Sequence, residues 1–137
     1  MKLDHVGVAV RALSEVADFY RERLGLEEVH REEVPGQGVR VVFLGNPKDP
    51  EGCQVELLEP LSRDCAVSKF LSERGPGLHH LAFRAGAVEA AMKRLYSAGL
   101  PALEAAPRPG ARGHQVCFLH PKRCHGVLVE LVGSSAV

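Results

Sequence analysis

The sequence has no tryptophan, two tyrosines and five phenylalanines, and no net charge, its 17 basic residues balancing 17 acidic ones. So few large rings weigh against an aromatic-lined binding groove. The charge balance excludes the broad positive field of a nucleic-acid binder, so small molecules are the expected partners. No apolar run approaches the ~18 residues that span a bilayer, and no charged-then-apolar leader opens the chain. Neither membrane insertion nor secretion is expected. The four cysteines, Cys53, Cys65, Cys117 and Cys124, make no CxxC pair and no dense disulfide framework. They are expected to be reduced, in a cytoplasmic protein.

Against these absences stand 137 residues that are 45% apolar and 25% charged, enough for one domain, 1–137, with a core of its own. "LDHVGVAV" (3–10) reads as a strand. "SEVADFYRERLGL" (14–26) sets Val16, Phe19, Tyr20 and Leu24 at helical spacing, with Ser14 as the expected cap and Gly25 as the stop. Strands are expected at 26–34, 39–45 and 53–60, separated by Pro-Gly and "NPKDPEG" turn chemistry. A connecting helix at about 62–74 follows, and then the order begins again. "LHHLAFRA" (78–85) is a strand and "AVEAAMKRLYSAGL" (87–100) a helix, after which "ALEAAP", "HQVCFLH" and "GVLVELV" supply three strands. The expected fold is α+β: two strand-helix-three-strand (βαβββ) modules, at about 1–60 and 77–137, packed as one curved mixed sheet with a concave metal site.

The halves match in detail. "LDHV" stands beside "LHHL", and "VEL" at 55–57 beside "VEL" at 129–131. Seventy-five positions separate His5 from His80, and seventy-four separate Glu56 from Glu130. Each module therefore offers one histidine on its first strand and one glutamate on its last. Imidazole nitrogen and carboxylate oxygen suit zinc, cobalt, nickel, manganese or ferrous iron, and four such ligands leave an octahedral ion with open positions for chemistry. A glutamate inside an apolar strand also costs several kcal/mol in lost hydration unless a partner offsets it.

Other candidates read more plainly. His79 alternates away from His80 along the strand and is expected to be structural. His30, His114 and His125 are expected in water, and His120 at the surface. Cys53 and Cys117 read as small packing residues. Gly-rich "RPGARGH" (108–114) lacks the setting of a phosphate-binding loop and reads as a substrate loop or hairpin connection.

The order and spacing of "LDHVGVAV", "FYRERLGL", "REEVPGQGVRVVFL", "VELLEPL", "GLHHLAFR", "FLHPK" and "GVLVELV" resemble the methylmalonyl-CoA epimerases of the vicinal oxygen chelate, or glyoxalase, superfamily over nearly the whole chain. The resemblance implies a metal-dependent isomerase of propionate metabolism that epimerises C2 of methylmalonyl-CoA, 2R to 2S, through a metal-stabilised enolate. It further implies His5, Glu56, His80 and Glu130 as ligands of one divalent ion, cobalt foremost, with manganese, nickel or zinc as alternatives. A homodimer is also implied. Some relatives carry a glutamate as candidate base where this chain has Val41, so Glu56 and Glu130 are the expected catalytic carboxylates. Lys122, Arg123, Arg108 and Arg112 are the candidate contacts to the acyl-CoA phosphates. The rival readings are a lactoylglutathione lyase, an extradiol dioxygenase, which would use one carboxylate rather than two, and a drug-binding protein of the same fold, which the lack of aromatics opposes.

Overall fold

The computed structural model describes residues 1–134; the last positions of the second expected module, 135–137, lie outside the described residues. The chain divides into two compact units, one of residues 5–79 and one in which residues 1–4 join the chain from His80 onward.

In the first unit, β1 (Leu3–Ala9), from His5 onward, is followed by α1 (Leu13–Leu24), β2 (Glu27–Val34), β3 (Val39–Gly45), β4 (Gln54–Pro60) and α2 (Ala66–Arg74). Strand β1 runs parallel to β4, while β3 is antiparallel to both β4 and β2. The apolar stripe of α1 lies on one face of this sheet, where Val10, Leu13, Ala17, Val42, Leu44 and Leu57 form a buried cluster. Alternation sends Val41, Phe43 and Glu56 to the other face.

Gly25 ends α1 in the left-handed conformation, as expected, at φ 72°. The start of the helix differs from expectation. Its N-cap is Ala12, and Ser14 makes no capping bond. The Leu13 N–H instead donates to the Glu59 carboxylate at 2.9 Å, so an acceptor from β4, beyond the reach of local sequence patterns, begins the helix two residues ahead of the Ser14 cap. The connecting helix likewise begins at Ala66 rather than near 62. The Cys65 and Ser68 side chains both donate to the Ser62 carbonyl and close a turn there instead.

The second unit holds β5 (Gly77–Ala87) from His80 onward, then α3 (Val88–Ser97), β6 (Arg108–Pro109), β7 (Gln115–Leu119) and β8 (Val129–Ser134). Strand β5 runs parallel to β8, and β7 is antiparallel to β8 and β6. This repeats the arrangement of the first unit and bears out the α+β reading of two βαβββ modules. Val88, Ala91, Met92, Cys117 and Leu131 pack under α3, and Ala82, Val116, Phe118 and Val132 cluster separately. The "ALEAAP" segment is not a strand. Prolines 101 and 107 bracket it, and it runs as bends tied to β7 by Leu103 N–H to Phe118 C=O, 2.8 Å, and Phe118 N–H to the Glu104 carboxylate, 2.9 Å. A side chain has taken the place of a ladder carbonyl. Only Arg108–Pro109 then pairs with β7, which makes 108–114 a hairpin connection.

Candidate active site

Each unit carries a buried histidine facing a buried glutamate. In the first, His5 Nε2 lies 3.2 Å from Glu56 Oε1; in the second, His80 Nε2 lies 3.4 Å from Glu130 Oε1. All four residues are buried, none more than 5% exposed. Strand register accounts for the first pair: Glu56 is the cross-strand partner of Gly7, two residues along β1 from His5 and on the same face. Glu130 pairs with Ala82, likewise two residues from His80, so the second unit repeats the construction.

The repeat includes an aromatic ring in each unit. Phe43 is the cross-strand partner of Glu56 and meets His5 edge to face at 5.3 Å. Phe118 is the partner of Glu130 and meets His80 edge to face at 6.1 Å. Each ring packs edge to face on the imidazole of its unit, and the glutamate opposite it is buried. The sequence held the signal, since Phe43 and Phe118 stand the same seventy-five positions apart as the histidines.

The donor spacings fit a metal better than a tight ion pair. Charge-assisted N–H···O bonds run to about 2.7–2.9 Å, whereas two ligands each ~2.1 Å from one ion and at right angles lie about 3.0 Å apart. At 3.2 and 3.4 Å both pairs exceed the first range and lie between that right-angle separation and the roughly 3.4 Å of a tetrahedral one.

Asp4, which precedes His5, is the remaining buried acid of this group, with 7% exposure. One oxygen accepts from Arg84 Nε at 3.1 Å and the other from Arg112 at 2.6 Å. Arg112 sits at φ 60°, an uncommon conformation for a residue with a side chain, inside the 108–114 hairpin. Sequence pattern gave no sign of this clamp.

Of the four arginines and lysines expected at substrate, Lys122 and Arg123 are exposed on a short turn, Pro121–Arg123. Arg108 lies over the Phe118 ring at 5.3 Å and 3.7 Å from Glu104, and Arg112 is held by Asp4. His79 packs its ring on Phe70 of α2 at 4.9 Å, in accord with a structural part. His125 is exposed, as expected. His120 is half-buried and its Nδ1 accepts the Lys122 N–H, capping the turn.

Three expectations need correction. His30 is half-buried rather than solvated, and its Nε2 lies 2.7 Å from Glu32 Oε1, because both occupy the inward face of β2. His114 is half-buried too, since its carbonyl accepts the Gly110 N–H and closes the hairpin. Cys53 is exposed in the turn before β4, so it is no packing residue. Cys117 is buried as expected, and burial, with Glu104 and Glu130 nearby, pushes its thiol up to about 12. All four cysteines are free.

Residues 4–118 match the Glyoxalase/Bleomycin resistance protein/Dioxygenase superfamily. The ethylmalonyl-CoA/methylmalonyl-CoA epimerase of Cereibacter sphaeroides is 39% identical over 133 residues, which cover 95% of this chain and 96% of that protein. The mitochondrial methylmalonyl-CoA epimerase of Homo sapiens is 40% identical over 133 residues, 95% of this chain and 72% of that protein. A variant of Streptomyces coelicolor methylmalonyl-CoA epimerase in complex with 2-nitronate-propionyl-CoA superposes with a TM-score of 0.92 at 40% identity, covering 99% of both chains. With identity of this order running through both modules, the chain belongs to that superfamily and, within it, to the methylmalonyl-CoA epimerases.

Proposed function

We propose that the protein interconverts the 2R and 2S epimers of methylmalonyl-CoA using one divalent metal ion bound by His5, Glu56, His80 and Glu130. The observation that carries this reading is the twice-built buried pair of a histidine and a glutamate, each with its donor atoms spaced as ligands of one ion. His5, Glu56 and His80 are also a buried group of a kind that could hold a metal ion. The donor set of two imidazoles and two carboxylates suits cobalt, manganese, nickel or zinc, and the resemblance to the methylmalonyl-CoA epimerases puts cobalt foremost. A bound ion would supply Lewis-acid stabilisation of the charge that develops on the thioester oxygen as C2 loses its proton.

The chain's own residues do the rest. Removing a proton from one face of C2 and returning one to the other calls for two acid/base groups flanking the plane. Glu56 is the first candidate, a buried carboxylate whose Oε1 lies 3.2 Å from His5 Nε2; Glu130 stands in the same relation to His80, at 3.4 Å. Both are buried opposite Phe43 and Phe118, which keeps the developing charge in a low dielectric. Lys122, Arg123, Arg108 and Arg112 are the proposed contacts to the coenzyme A phosphates. A homodimer working in propionate metabolism in the cytoplasm completes the reading, and four free cysteines suit a reducing compartment.

The test is to add metal-free protein to (2R)-methylmalonyl-CoA in heavy water with each divalent ion in turn. Deuterium should enter C2 as the 2S epimer forms, and calorimetry should give one ion per chain. Folded protein that neither exchanges C2 with any ion nor binds one rejects the proposal. Glu56→Gln that binds metal normally and keeps full activity rejects the role of Glu56 in proton transfer.

A further inference from the structure

Glu56 and Glu130 face conflicting demands if each is both metal ligand and proton carrier, because an oxygen committed to an ion is a weak base. A buried carboxylate also exchanges its proton with water slowly, yet each turnover leaves one acid/base group protonated and the other stripped. The first unit contains a pair of groups free of both constraints.

Strand β2 alternates outward and inward, and its inward positions are His30, Glu32 and Val34. Cross-strand partners share a face, so the register carries one row from Gly7 through Glu56 and Phe43 to His30, and the next from Ala9 through Leu58 and Val41 to Glu32. His30 and Glu32 therefore lie on the face that bears His5 and Glu56. The Phe43 ring lies 5.3 Å from the His5 ring and 6.1 Å from the His30 ring, so it links the two imidazoles. Glu32 stands directly opposite Val41 and is the polar member of a row otherwise made of Ala9, Leu58 and Val41. His30 and Glu32 are bonded at 2.7 Å, with side chains 36% and 31% exposed, whereas Glu56 on the same face is buried. An acid/base group at the rim of a site has this arrangement: a carboxylate oriented by an imidazole, with solvent on one side for proton exchange.

We infer that the His30–Glu32 pair is the second acid/base group of the epimerisation, acting on the face of C2 opposite to that served by Glu56. This rests on the proposed epimerase reaction. In one direction, Glu32 takes the C2 proton directly or across one water, the C–H electron pair passes to the thioester carbonyl, and protonated Glu56 returns a proton to the other face of C2. In the reverse direction Glu56 takes the proton and Glu32, protonated, returns one. His30 orients Glu32 and passes its proton to or from solvent, while Glu56 regains or releases its own proton through water that enters the cleft once product leaves, so both groups are reset between turnovers; Glu130 remains a ligand throughout.

The test uses the metal-loaded protein and separates exchange from inversion. Glu32→Gln should lower inversion about 100-fold, the lower range for a lost acid/base group, while C2 exchange in heavy water persists for one epimer only. His30→Gln should lower inversion about 10-fold with KM within twofold. Arg31→Gln, on the outward face of the same strand, should match the parent. Inversion within twofold of the parent in Glu32→Gln, or equal loss of exchange from both epimers, overturns the inference. If Glu32→Gln does not give a native thermal melt, His30→Gln carries the decision, and parent-like inversion there overturns it. A parent protein that does not epimerise the substrate fails the proposed function itself, which distinguishes the two.

Discussion

Replacing Asp4 with asparagine keeps the shape of the side chain and removes its charge. Both carboxylate oxygens are engaged, by Arg84 at 3.1 Å and Arg112 at 2.6 Å, and an asparagine turns an N–H group toward one of the two guanidinia. Breaking a fully buried ion pair from one side costs about 3–5 kcal/mol. Here the Asp4 side chain is 9% exposed, but Arg84 and Arg112 retain 27% and 19% and recover part of their hydration. That partial rehydration brings the expected loss to about 2 kcal/mol. For a domain of this size the melting temperature should fall by about 6–10 °C. Urea unfolding gives the free energy, and a double-mutant cycle with Arg112→Ala should give a coupling of about 1 kcal/mol. A loss under about 0.5 kcal/mol, or independent effects of the two substitutions, would refute the clamp.

Gly133 faces Gly86 across β5 and β8, and a Cβ on Gly133 would lie 2.0 Å from the Gly86 carbonyl oxygen. Gly133→Ala should cost about 3 kcal/mol or more, read by urea unfolding; a native-like midpoint would contradict that packing. Glu104→Ala should lose about 1.5 kcal/mol, because the Phe118 N–H loses a charged acceptor at 2.9 Å, and hydrogen exchange at that amide should accelerate. For Cys117 the sign follows from a thiol raised from 9.0 to about 12: the native state keeps a proton that the unfolded chain releases, so its contribution is full below pH 9 and is lost as pH rises toward 12. At pH 8 a thiol reagent should modify the exposed Cys53 and leave Cys117 intact until denaturation, as peptide mass mapping will report.

The readable parts of this chain are those that depend on neighbours in sequence or on the repeat. Alternation located most strands, and Gly25 located the end of α1, because those signals act within a few residues. The misreadings share a cause. Glu59 caps α1 in place of Ser14, and Glu104 bonds to β7 where a strand was expected; each is a side chain supplied from elsewhere in the chain. His30 looked solvated because Glu27, Glu28, Arg31, Glu32 and Glu33 surround it in sequence. Its inward orientation depends on β2 register, which shifts between Glu28 and His30.

By itself the sequence determined that two like modules exist and that each carries one histidine and one glutamate on corresponding strands. It did so because a duplicated pattern preserves spacing whatever the chain folds into. Only the tertiary structure decided that Glu56 sits 3.2 Å from His5 and Glu130 3.4 Å from His80, that Phe43 and Phe118 pack edge to face on those histidines, and that His30 and Glu32 share the face of His5. Those facts depend on strand register, where a slip of one residue turns every side chain to the opposite face, and register is set by pairings between distant segments.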